Sequence, residues 1–226
     1  MKTKLLKSVL GVSLAVAGLA AGAGTIVGSK HDFSTQAWTT NGQLCVACHA
    51  PHNTALGLTV LWNHTLSTAT YTMYNNAFSS TINGTVAAAP AGVSKLCLSC
   101  HDGTVAVNSF GGATGAVSIA ASANLGTNLT NDHPIGITYD AALVTADGAL
   151  WPIATTANIG TGGTKTRAGT ISSNLLYNGS IECASCHDVH NTFTVPFATA
   201  GTSGTTNKLV KISMVGSALC LTCHDK

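Results

Sequence analysis

Four times in 226 residues the chain writes Cys-x-x-Cys-His: Cys45 to His49, Cys97 to His101, Cys183 to His187 and Cys220 to His224. No other feature constrains its folding as much. The pattern is the attachment signal for a c-type haem, in which Cys45 and Cys48, Cys97 and Cys100, Cys183 and Cys186, and Cys220 and Cys223 add pairwise across two vinyl groups. His49, His101, His187 and His224 then stand one residue on, placed to bind each iron from one face. Four covalently attached haem c groups are expected, and they consume all eight cysteines.

Two ordinary uses of paired cysteines explain less. A four-cysteine zinc site has no need of a following His. A disulfide framework gives no reason for one either. With 9 histidines in 226 residues, chance would place one after all four pairs roughly once in a few hundred thousand chains.

Residues 1–23 read as a secretory signal peptide. Lys2, Lys4 and Lys7 form a basic start, Ser8 to Ala20 is largely apolar, and Ala21-Gly22-Ala23 is a small-residue cleavage site. The uncharged run is short for a bilayer span and diluted by glycine, which favours cleavage over anchoring. A secreted product with no membrane span in the mature chain is therefore expected. Three of the ten basic residues leave with the leader, so the remainder carries seven basic against eight acidic side chains, before haem propionates are added. Such a chain lacks the basic patch that releases counterions from phosphates, so nucleic acid is disfavoured as a partner. Only 8% of residues are charged, and a surface with so little self-repulsion permits close association of identical copies.

Aligning the motifs with their tails exposes an internal duplication. Cys45-Val-Ala-Cys-His-Ala-Pro-His-Asn-Thr54 matches Cys183-Ala-Ser-Cys-His-Asp-Val-His-Asn-Thr192, and Leu96-Cys-Leu-Ser-Cys-His-Asp102 matches Leu219-Cys-Leu-Thr-Cys-His-Asp225. The order A-B-A-B implies two haem-pair halves, 24–102 and 181–226, joined by a linker rich in Gly, Thr, Ser and Ala over 103–180. Within the linker, Ala116 to Ile119 and Ile135 to Tyr139 alternate as short edge strands do, and Asp147-Gly148 and Asn178-Gly179 are turn signals. Long periodic helices are absent. The expected fold is a multihaem c-type cytochrome, mostly coil with short helices and a few short strands wrapped around a stacked haem chain. With 5% aromatic residues, the haems are expected to stand in for the usual apolar core.

Five histidines lie outside the motifs: His31, His52, His64, His133 and His190. If four of them supply sixth ligands, every iron is closed by two histidines and cannot bind substrate, which separates an electron carrier from an enzyme. His52 and His190 each follow a motif histidine by three residues. At that spacing they lie on the same side as it and cannot reach the far face of their own haem, so they are expected to ligate a neighbouring one. His133, between Asp132 and Pro134, stands on a defined loop. His31 is expected to ligate from an arm near the mature N-terminus. His64, beside Trp62, is expected to be the surplus histidine.

Together, Cys-Val-Ala-Cys-His-Ala-Pro-His-Asn, Ser-Lys-His-Asp, Leu-Trp-Asn-His, Asn-Asp-His-Pro-Ile-Gly and Cys-His-Asp-Val-His-Asn resemble the extracellular tetrahaem cytochrome nanowires of the OmcE-like type, and more distantly the hexahaem OmcS-like filaments. The resemblance spans nearly the whole mature chain. It implies haem attachment outside the cytoplasm, and an extracellular homopolymeric helical filament whose bis-His haems form one continuous line for electron transfer. It also implies that His52, at the place of the histidine that crosses between subunits in the hexahaem filament, ligates a haem of the adjacent subunit. The duplication agrees in kind: if His190 serves a second-half haem in its own chain, His52 is left with the role at the other end.

Two other functions are weighed against the conduit. A soluble periplasmic tetrahaem shuttle would carry a charged docking face for transient partners, which this chain has few charges to build. A multihaem reductase needs an open iron with acid and base groups around it, and the spare histidines argue against that. No enzyme activity is expected. Sequons at Asn63, Asn83, Asn128 and Asn178 are compatible with chance in so Ser- and Thr-rich a chain.

Overall fold

The computed structural model describes residues 26–52, 61–163, 165–193, 195 and 209–226; the expected signal peptide lies outside the described residues. Among these, most of the backbone is coil. The regular elements are α1 (Gly92–His101), β1 (Ile137–Thr138), α2 (Ala141–Asp147), α3 (Ile171–Leu175), β2 (Ser180–Ile181), α4 (Cys183–Cys186) and α5 (Ala218–Leu221). None of these helices is long and apolar enough to cross a membrane.

The helices are short because their ends are chemically marked. Asp140 caps α2 by accepting a hydrogen bond from the Leu143 N–H at 2.8 Å, and Gly148, left-handed at φ 71°, ends it. Thr170 and Ser173 form a reciprocal capping box at the start of α3. The Asn178-Gly179 signal becomes a tight turn: both residues are left-handed (φ 50° and 76°), and Tyr177 and Ser180 exchange N–H···O=C bonds of 3.0 Å. That turn feeds β2, which pairs antiparallel with β1 through Ile137 opposite Ile181 and Thr138 opposite Ser180. The alternation at 116–119 makes no strand, because the Asn108 side-chain oxygen takes the N–H groups of both Ala116 and Val117.

Helices α1 and α4 pack together through a reciprocal seam. The Ser94 N–H, an unpaired donor in the first turn of α1, reaches the Glu182 carboxylate at 3.3 Å, while the Cys183 N–H opening α4 donates to the Ser94 hydroxyl at 2.9 Å. Ser94, Ser99 and Ser185 are buried, and such small side chains let helices approach closely. The consequence is functional: α1 carries the second motif and α4 the third.

The larger apolar cluster gathers Ile137, Tyr139, Leu143, Ala157, Ile159, Ile171 and Leu175 with Ile181, Phe193, Val195, Val210 and Ile212. Its first seven members come from 103–180, so this segment is a packing unit as well as a connection. Sequence periodicity does not announce it, because turns rather than long elements bring these aliphatics together. One turn depends on Gly160, left-handed at φ 80°, where an added Cβ would meet the Lys165 carbonyl and the Phe193 ring. A smaller cluster, Met73, Leu98 and Leu129, lies under α1.

Candidate haem-binding sites

Each motif is wound into one helical turn. The His49 N–H donates to the Cys45 carbonyl at 2.8 Å, His187 to Cys183 at 3.0 Å and His224 to Cys220 at 3.0 Å. The second motif, Cys97 to His101, closes α1. Residues three and four apart on a helical turn share a face, so both cysteines and the histidine of each motif lie on one side, as attachment to a single porphyrin demands.

Three motif histidines face spare histidines. His49 and His190 lie with ring centres 6.1 Å apart and planes inclined by 18°. His101 and His31 are separated by 5.9 Å, and His224 and His133 by 6.4 Å. Two imidazoles bound to opposite sides of one metal ion through bonds of about 2 Å put their ring centres roughly 6 Å apart. All three separations fit that span. His190 is thereby set against a first-half motif, so the condition under which the duplication freed His52 is not met. His52 itself is exposed on the tail of the first motif, and His187 is exposed at the end of α4.

Ring-nitrogen partners separate these histidines from His64. The His101 Nδ1 sits 2.8 Å from the Ala123 carbonyl and the His133 Nδ1 sits 3.0 Å from the Pro134 carbonyl. An acceptor at Nδ1 fixes the tautomer that leaves the Nε2 lone pair for a metal. His64 is buried with carbonyl oxygens at both nitrogens, Thr65 at 2.8 Å from Nδ1 and Ala106 at 3.1 Å from Nε2, and with the Cys100 sulfur 3.4 Å from Nε2. Its Nε2 is turned to that carbonyl and that sulfur, and among the described residues no motif histidine lies against its ring. His31 keeps a buried Nδ1 without a hydrogen-bond partner in the chain, and so does the Trp62 indole nitrogen close to His49. A buried polar atom left this way points to a group the protein chain does not itself supply. Burial, then the nearby His101, His187 and His190 rings, lower the His31 pKa to about 4, so it stands neutral and able to bind metal at ordinary pH.

Among the described residues no three His, Cys, Asp or Glu side chains gather as a metal site. A haem iron needs only two protein ligands, since the porphyrin supplies four, and pairs are what the chain presents. Apolar side chains also stand uncovered beside the motifs: Leu221 inside the fourth, Val189 between His187 and His190, and Leu125, whose N–H holds the His101 carbonyl. A flat apolar body fits such faces.

The thiols show how the motifs adjoin. Cys97 and Cys183 hydrogen-bond to each other, which pushes Cys97 up and draws Cys183 down. Burial raises Cys48 and Cys186 to about 11 and Cys100 and Cys223 to about 12. Cys48 lies near enough to repel charge on Cys97 and Cys100, and Cys186 near enough to repel charge on Cys223. The four motifs therefore neighbour one another in chain order.

Neither a protein-family model nor a curated protein matches the chain. The carbonyls of Ala123 and Pro134 and the indole of Trp62 were beyond sequence reasoning, because a backbone acceptor has no residue signature and Trp62 gave none beyond its place near His64.

Proposed function

We propose that the chain is a secreted tetrahaem c-type cytochrome that carries electrons and assembles with identical copies into an extracellular filament. The observation that carries this reading is the set of three histidine pairs, each joining one motif histidine to one spare histidine at a single-metal spacing. His190, His31 and His133 are the sixth ligands opposite His49, His101 and His224. His52, exposed on the tail of the first motif, is the proposed sixth ligand for the iron on His187, from an adjacent subunit, the role the filament resemblance gives it.

Haem bound at these motifs would supply one-electron redox chemistry, with no bond made or broken. The chain's residues do the rest. The cysteines would hold the groups covalently, the paired imidazoles would ligate the irons and leave no site open to substrate, and the Ala123 and Pro134 carbonyls orient two of those imidazoles. The α1–α4 seam brings Cys97 and Cys183 within hydrogen-bonding reach, so the second and third attachment sites adjoin across the boundary between the halves.

The test is haem content by intact mass together with the near-infrared magnetic circular dichroism of the purified protein. Four covalent haems, all low-spin with bis-histidyl bands, are expected. A protein without covalent haem, or one with a high-spin iron in its assembled form, would contradict the proposal.

A further inference from the structure

The two B motifs end alike in Cys-His-Asp, yet the structure treats their acids differently. Asp102 is 3% exposed. Its carboxylate accepts hydrogen bonds from the Tyr71 hydroxyl at 2.5 Å and from the Thr104 N–H at 2.8 Å and hydroxyl at 2.9 Å. Asp225, at the matching place, is exposed beside exposed Lys226. Both acids follow a motif histidine directly, and that tether caps how far either carboxylate can stand from the haem proposed there. What differs is the medium between charge and metal.

Asp102 is also badly placed for its helix. It sits at the C-terminal cap of α1, where the helix dipole disfavours an anion. Three hydrogen bonds offset that cost. Tyr71 and Thr104 supply those bonds. Every one of these donors is neutral, so the charge is held without being cancelled.

We propose that Asp102 lowers the reduction potential of the haem on Cys97–His101 relative to that on Cys220–His224, making the second haem the harder of the two to reduce. A fixed anion favours ferric over ferrous iron, and it does so more strongly through protein than through water. Asp102 is a positioning residue for charge; it does not touch iron. The inference rests on the haem reading above.

The test is a spectroelectrochemical titration of the full haem-loaded protein, with haem content measured first. In Asp102→Asn, one of four Nernst components moves to higher potential. In Tyr71→Phe, which removes a donor that spreads the carboxylate charge, one moves lower. In Asp225→Asn, the components stay within error of the wild type. Four bound haems with unmoved components in Asp102→Asn, or shifts of the same sign in Asp102→Asn and Tyr71→Phe, would overturn the proposal. If Asp102→Asn fails to load its haems, Tyr71→Phe decides alone: a lower component supports the assignment, and no shift or a rise overturns it. A wild-type protein without covalent haem would instead sink the haem reading itself.

Discussion

What each histidine nitrogen touches decides what that histidine can do. His31, His133 and His190 each face a motif histidine, while His64 has acceptors at both nitrogens. Replacing His31, His133 or His190 singly with Ala is expected to turn one haem in four high-spin, read by the same magnetic circular dichroism bands. His64→Leu should leave all four low-spin. It should also lower stability by about 1–2 kcal/mol, since the buried ring's one N–H bond to a backbone carbonyl is lost. Lys211 gives a pH test. It is buried with Nζ donating to the Asn174 carbonyl at 3.1 Å and the Tyr177 hydroxyl at 2.9 Å, and burial, helped by Arg167, lowers its pKa from 10.5 to about 8. Between those values the unfolded chain binds the extra proton, so stability rises as pH climbs from about 8 to 10.5. Denaturant midpoints of wild type minus those of Lys211→Met should show that rise; a flat difference would contradict it.

At the scale of elements, the α1–α4 seam and the Gly160 turn carry separate loads. Glu182→Ala removes the acceptor of the buried Ser94 N–H and half of the α4 capping box. A loss of about 1–3 kcal/mol in chemical denaturation is expected. Gly160→Ala should cost at least as much, because the left-handed backbone and the Lys165 carbonyl both oppose a side chain. The sequence made some of this legible and hid the rest, for physical reasons. Asn178-Gly179 and Gly148 mark turns because few residues tolerate positive φ. The cysteine and histidine spacing of the motifs predicts helical turns because only a turn converges three side chains on one face. The seam was not readable, since Ser94 and Glu182 lie 88 residues apart and a serine has no periodic signal. Nor was the aliphatic cluster of 137–212, whose members are spread over coil and elements of two to seven residues. At the candidate site the motif residues were legible one by one, but which spare histidine faces which motif depends on how those turns pack.

For the molecule as a whole, two sources of cohesion are proposed: the aliphatic cluster around Ile159 and Ile171, and the faces that the motifs would turn toward haem. Chains whose motif cysteines are replaced by alanine, which cannot attach haem, are expected to lose hydrogen-exchange protection around α1, α4 and α5. Whatever protection survives should lie in the cluster. Sparse charge bears on assembly. With 8% charged residues, contacts between copies should be screened little by salt, so filaments formed at low ionic strength should persist in about 1 M sodium chloride when counted by negative-stain microscopy. The proposed paired histidines would close four haem irons in a line that continues from one copy to the next. Cryo-electron microscopy of the purified haem-loaded protein tests it most directly. Filaments with an unbroken haem line are expected, with His49 opposite His190, His101 opposite His31, His224 opposite His133, and His52 reaching into the adjacent subunit. Compact single particles, or irons bound by other partners, would contradict it.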